Sequence, residues 1–133
     1  MSLNSEERDE LIQYRLLQTE ETIEEVELLL KHEKFRAAVN RIYYGMFYAL
    51  LALALKYEFQ TSKHQQLIGW FNKNFIYKGL FDKKYGIMLR KAYQHRIEGD
   101  YEPMSKFNNK QVTDLYKNMK EFISVLKSHI EEV

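Results

Sequence analysis

A chain of 133 residues with no cysteine, one proline and five glycines has the length of one domain and excludes disulfides, thiolate metal sites and a cysteine nucleophile. Ten Tyr, eight Phe and one Trp supply too much ring area for a disordered chain, and so few turn residues argue against a sandwich or barrel. The net charge of +1 hides an asymmetry: residues 1–33 carry ten acids and three bases, whereas residues 34–133 carry nine acids and seventeen bases.

The elements follow in order. Asn4 with Glu7 three residues on fits a capping box, and predicts a first helix reaching about Lys31. Its apolar stripe is Ile12, Leu16, Thr19, Ile23, Val26 and Leu30, spaced by threes and fours. A link at His32 to Lys34 leads into a second helix, apolar nearly all round from Ala37 to Leu55, which marks a helix enclosed on most sides. Its clean apolar part, Ile42 to Leu55, is 14 residues, short of the about 20 that a bilayer span needs. This helix therefore reads as core, with Tyr43, Phe47 and Leu51 buried. Its apolar girth exceeds what a bundle of this size covers, so a two-fold homodimer is expected. No basic, apolar leader opens the chain, and a cytoplasmic location follows by default.

Polar residues Gln60 to Ser62 precede a third helix over Lys63 to Ile76. Gly79 breaks the chain, and Asp82 caps a fourth helix that should end at Glu98, with Gly99 as its stop and Pro103 beyond. Asn108 and Gln111 suggest a second capping box. Val112, Leu115, Met119, Phe122, Leu126 and Val133 then give the stripe of a last helix. The segment Lys56 to Lys91 holds eight bases against two acids. That is either a solvated face balanced by the acidic first helix or a surface for nucleic acid. The fold expected is all-α, an up-and-down bundle of four to five helices forming a single domain over residues 1–133.

Chemistry is concentrated in two places. In the second helix Asn40 and Tyr44 share a face, with Arg41, Gly45 and Tyr48 on the adjacent one. A cation there is unfavourable unless paired. Arg41 either meets a carboxylate such as Asp100 or faces an anionic ligand in a cleft. At the end of the fourth helix Arg96 and Asp100 are four residues apart. They form either an ion pair and cap or a phosphate site beside the Tyr101 hydroxyl. The four histidines are scattered, no glycine-rich phosphate loop occurs, and neither a metal site nor a cofactor is expected.

These segments together resemble the HEPN superfamily, in its small stand-alone form. The resemblance rests on Tyr14-Arg15-Leu16, on Ala38 to Tyr48, on Ser62-Lys63-His64, and on Arg96 with Asp100-Tyr101. It spans nearly the whole chain in order, and the second-helix stretch is the most specific part. It implies a dimerising bundle, a nucleotidyltransferase as frequent partner, and RNA or nucleotide as ligand. Ligand-binding candidates are Asn40, Arg41, Tyr44, Lys63 and His64. Catalytic members of the superfamily resemble metal-independent ribonucleases with Arg, four to six residues, then His at the dimer cleft. There the His would act as general base and the Arg would hold the phosphate.

In this chain Arg96 matches that Arg, while Asp100 and Tyr101 occupy the place of the His. A literal match, Arg90 with His95, is a five-residue step that turns about 500°, so the two side chains would point roughly 140° apart. The leading expectation is a HEPN module that binds nucleotide, RNA or a partner transferase without strong catalysis. The alternatives are a toxin-like ribonuclease of the kind found in toxin–antitoxin pairs, and an interaction module without a nucleic-acid role.

Overall fold

The computed structural model describes residues 3–133. Helix α1, Ser5–Lys31, begins where Asn4 and Glu7 reciprocate: the Glu7 N–H donates to Asn4 Oδ1 at 2.8 Å and the Asn4 N–H to Glu7 Oε1 at 3.0 Å. Two backbone donors that no helix can satisfy internally are thereby bonded. Its buried face is Ile12, Leu16, Thr19, Thr22 and Val26, with Ile23 and Leu30 only half-buried. The two buried threonines need no outside partner. Thr19 Oγ1 donates back to the Arg15 carbonyl at 2.8 Å and Thr22 Oγ1 to that of Gln18 at 2.6 Å.

A three-residue turn, with Glu33 in the left-handed region at φ 54, leads to α2, Phe35–Lys56. This helix is the core of the molecule and packs against α1, α3, α4 and α5. Tyr43 and Phe47 are buried as expected, whereas Leu51 is half-buried at the edge of a cleft. Three helices approach closely at Gly45. A Cβ there would collide with the terminal methyl of Met119 and come within 3.2 Å of Thr22 Cγ2. Among the described residues α2 alone passes, by length and composition, for a membrane span, yet 72% of that stretch is enclosed by the bundle.

Helix α3, His64–Phe71, continues as a wide π turn over Asn72–Ile76, where the Asn74 amide donates to the Trp70 carbonyl at 2.9 Å. Gly79, at φ 77, turns the chain toward Asp82, whose carboxylate accepts from the Lys84 N–H at 2.9 Å and caps α4, Lys83–Tyr101. The expected stop at Gly99 does not occur. Gly99 is buried inside the helix because a Cβ would lie 3.2 Å from the Phe107 ring and 3.6 Å from Arg36 Cγ. The helix ends two residues later, just before Pro103, which lacks the N–H needed to continue it. Helix α5, Asn109–Glu132, starts with Asn108 Oδ1 accepting from the Gln111 N–H at 2.8 Å. Its buried stripe holds Val112, Leu115, Met119, Phe122 and Leu126 as expected, together with Tyr116, Ile123 and Ile130, whereas Val133 lies past the helix end and is exposed. No strand occurs among the described residues.

Candidate functional site

Because α2 packs on both α4 and α3, residues distant in sequence meet around the second turn of α2. Asn40 is the joint. Its amide nitrogen lies 3.3 and 3.1 Å from the two Asp100 oxygens, and its carbonyl oxygen accepts from Arg41 Nε at 3.1 Å and Nη2 at 3.0 Å. Arg96 Nη1 reaches Asp100 Oδ2 from the preceding turn of α4 at 3.5 Å. The direct Arg41–Asp100 pair is therefore replaced by a relay through Asn40, whose amide offers a donor on one side and an acceptor on the other. Two guanidinium charges face one carboxylate, so the cluster keeps an excess positive charge.

The two arginines differ in setting. Arg96 is only 8% exposed. Its guanidinium carbon stands 5.2 Å from the Tyr43 ring centroid and 5.5 Å from those of Tyr44 and Tyr93, and its Nε is buried without a partner. Ring faces attract a desolvated cation, which accounts for an arginine lodged this deep. Of the two alternatives for Arg96, the ion pair with Asp100 is present at 3.5 Å. Arg41 is half-buried, 5.0 Å from the Tyr44 centroid, and borders an open groove of about 840 Å³ between the end of α1 and the start of α2. Lys34 and Arg36 line the same groove, against Glu25 and Asp100. None of Lys34, Arg36 and Arg41 makes an ion pair among the described residues. Arg36 is held by two carbonyls, Gly99 at 2.8 Å and Ser105 at 2.7 Å.

The histidine that meets the tyrosines around Arg96 comes from another helix. His64, at the start of α3, stacks on Phe47 with ring centroids 4.2 Å apart, and its Nδ1 lies 2.7 Å from the Tyr43 hydroxyl. Burial pushes the Tyr43 hydroxyl well above its ordinary value, only partly opposed by the Arg96 charge. Burial, and then Arg96, push His64 below its ordinary value. The bond is available to either neutral tautomer: the Tyr43 hydroxyl donates to Nδ1 when the ring proton is on Nε2, and accepts from Nδ1 when the proton is there.

The remaining candidates lie apart. Lys63 is exposed at the entry to α3, where its N–H donates to Thr61 Oγ1. Tyr101, the last residue of α4, is 71% exposed. No hydrogen bond or ion pair joins Arg90 to His95: Arg90 is exposed, and His95 pairs with Glu98 at 3.3 Å. Among the described residues no group of three His, Asp or Glu is placed to hold a metal. Sequence reasoning missed Tyr93, Arg36 and the ring role of Tyr43. The spacing of Tyr93 and Arg96, three apart on α4, was the available signal.

The arrangement is that of a small all-α domain with a polar cluster between its second and fourth helices. The sequence matches the HEPN domain family over residues 12–129, and the chain belongs to that family. It is 32% identical over 127 residues to a UPF0332 protein of Thermotoga maritima, covering 96% of both chains. It is similar also to two proteins of Methanocaldococcus jannaschii. One bears the name "Putative toxin MJ0605", at 28% identity over 131 residues, with 98% of this chain and 96% of the relative covered. The other is "Putative toxin MJ0142", at 30% over 111 residues, with 84% and 76% covered.

Proposed function

We propose that this protein is a HEPN module that binds RNA or a nucleotide through its phosphate, as a cytoplasmic homodimer and without strong catalysis of its own. The observation that carries the reading is the groove beside α2. Lys34, Arg36 and Arg41 line it without ion pairs among the described residues, and a cation lacking a counter-ion favours an incoming phosphate. In this reading Arg96, Asp100 and Asn40 are positioning residues that aim Arg41, Tyr44 supplies a ring at the rim, and a nucleotidyltransferase is the partner. Tyr101, exposed at the end of α4, and Lys63 would lie outside the phosphate contacts. The names of the toxin-named relatives support a place in a toxin–antitoxin pair.

Against a ribonuclease stands the setting of His64, the only histidine among the described residues whose ring meets the tyrosines around Arg96, since it is stacked on Phe47 and bonded to the Tyr43 hydroxyl. Fluorescence anisotropy with a labelled single-stranded RNA at low salt tests the proposal. Binding should weaken at least about tenfold in Arg41→Ala, the loss of one charge-assisted contact, and the RNA should stay intact in EDTA. Failure of the native protein to bind overturns the reading, and cleavage in EDTA replaces it by the ribonuclease.

A further inference from the structure

The Tyr14-Arg15-Leu16 step of α1 takes no part in the cluster at Asn40. Arg15 is half-buried there. Its Nη1 donates to Gln18 Oε1 at 2.8 Å, and its guanidinium carbon lies 5.7 Å from the Tyr14 ring centroid. No carboxylate pairs with it among the described residues, and its Nε is buried with no hydrogen-bond partner. A desolvated donor without an acceptor is unfavourable, the more so on a charged group.

Arg15 borders a solvent-open cavity of about 510 Å³ between α1, α2 and the loop before α3. That volume falls in the range of roughly 300–1,000 Å³ typical of small-molecule sites. The walls are Leu11, Phe47, Leu51, Leu55 and Phe59, with the short polar side chains Thr61 and Ser62 at one side. This is also where Leu51 fails to be buried. Ring and aliphatic walls call for an apolar body, and a guanidinium fork matches the two oxygens of an oxyanion. Only one cation lines the cavity, and its other polar residues are neutral. One negative charge is therefore balanced, as on a carboxylate, and the second charge of a phosphate dianion would not be.

We propose that this cavity binds a small monocarboxylate with an apolar body, the carboxylate on Arg15 and the body against Phe47, Leu51 and Phe59. The site uses none of the groove cations, so it stands or falls independently of RNA binding.

Trp70, the one tryptophan, stacks parallel on Phe59 at 5.1 Å and reports on the cavity. The full chain is titrated with hexanoate while Trp70 fluorescence and the melting temperature are followed. Hexanol, hexylamine and acetate serve as probes lacking the charge, bearing the wrong charge and lacking the body. A saturable signal and a raised melting temperature with hexanoate alone are expected. Arg15→Gln should weaken binding at least about tenfold, and Arg15→Lys less, since it keeps the charge and loses the fork. Leu51→Phe, which fills the cavity and leaves Arg15 in place, should abolish binding; this variant decides the matter if Arg15→Gln does not fold. Hexanol or hexylamine binding as tightly as hexanoate overturns the proposal. So does hexanoate binding unchanged in both Arg15→Gln and Leu51→Phe. A native protein with no saturable response, including one whose dimer contact shields the cavity, overturns it as well.

Discussion

The two ends of α2 carry the same pair of side chains in different surroundings. Toward its start, Tyr43 bonds His64 at 2.7 Å; just past its end, Tyr57 bonds His129 at 2.7 Å. In the first pair the tyrosine is fully enclosed, the histidine lies flat on Phe47, and Arg96 sits against the tyrosine ring. In the second, Tyr57 is 42% exposed, His129 packs edge-on to Phe75 and Phe81, and no cation stands over the tyrosine among the described residues. The C-terminal pair ties the end of α2 to α5. The N-terminal pair does the same for α3, and in addition forms the floor on which a guanidinium rests. A Tyr–His bond becomes part of a polar site when a buried cation forces the neighbouring groups to arrange themselves around its charge.

Substitutions can break that contrast, beginning with its apolar floor. Phe47→Ala removes the ring beneath His64 and should destabilise the fold by about 3–5 kcal/mol, the usual range for an enclosed aromatic. Urea denaturation measures it, and a loss below about 1 kcal/mol would mean that the floor is not packed. Asp100→Ala removes the carboxylate that Arg96 and Asn40 share. The expected loss is about 1–3 kcal/mol, because a mostly buried cation is left with rings alone. Stability equal to that of the native chain would show that the three tyrosines suffice.

Acid should find the N-terminal pair as well. The folded-state value of His64 lies below the ordinary 6.5, so the unfolded chain takes up that proton first. Its contribution is fully present above about pH 6.5 and is lost as pH falls below it. Urea melts at about pH 7.5 and about pH 5.5 should show the native protein losing more stability on acidification than His64→Gln.

The smallest effect sharpens the comparison at the backbone. Both ends of α2 adjoin a glutamate in the left-handed region, Glu33 at φ 54 and Glu58 at φ 59. Glu33→Gly should stabilise by about 1 kcal/mol by relieving that conformation. Glu58→Gly should gain less in the same thermal melts, since it also loses the Arg8 contact at 3.2 Å.

The helices were legible because their signals are local. The Asn4–Glu7 box, the Asp82 cap and the α5 stripe need only neighbours within a turn or two. Gly99 was misread because one residue type serves two purposes. The same missing Cβ that ends a helix also admits Phe107 and the Arg36 stem against one. The site was half legible. Asn40, Arg41, Arg96 and Asp100 do converge, but the order of bonding among them depends on which face of Asn40 turns to which partner, and spacing does not encode that. The setting of Arg96 depends on Tyr43 and Tyr44 from one helix and Tyr93 from another. The three-residue step from Tyr93 to Arg96 signals one of these rings, but no pattern along either helix signals that two more close in from α2. The histidine bonded to Tyr43 arrives from α3, so a search for Arg and His within one helix passes over it.

The three-residue turn between α1 and α2 bears on how the chain finds this structure. Joining the ends of so short a link loses little chain entropy, whereas bringing α5 onto α2 closes a loop of more than fifty residues. The α1–α2 hairpin is thus the pairing that can form first, with Val26 and the apolar face of α2 as its seam. The polar cluster needs α4 and can be assembled only afterwards. Substitutions in the hairpin seam should slow folding, and those at Asp100 should chiefly speed unfolding.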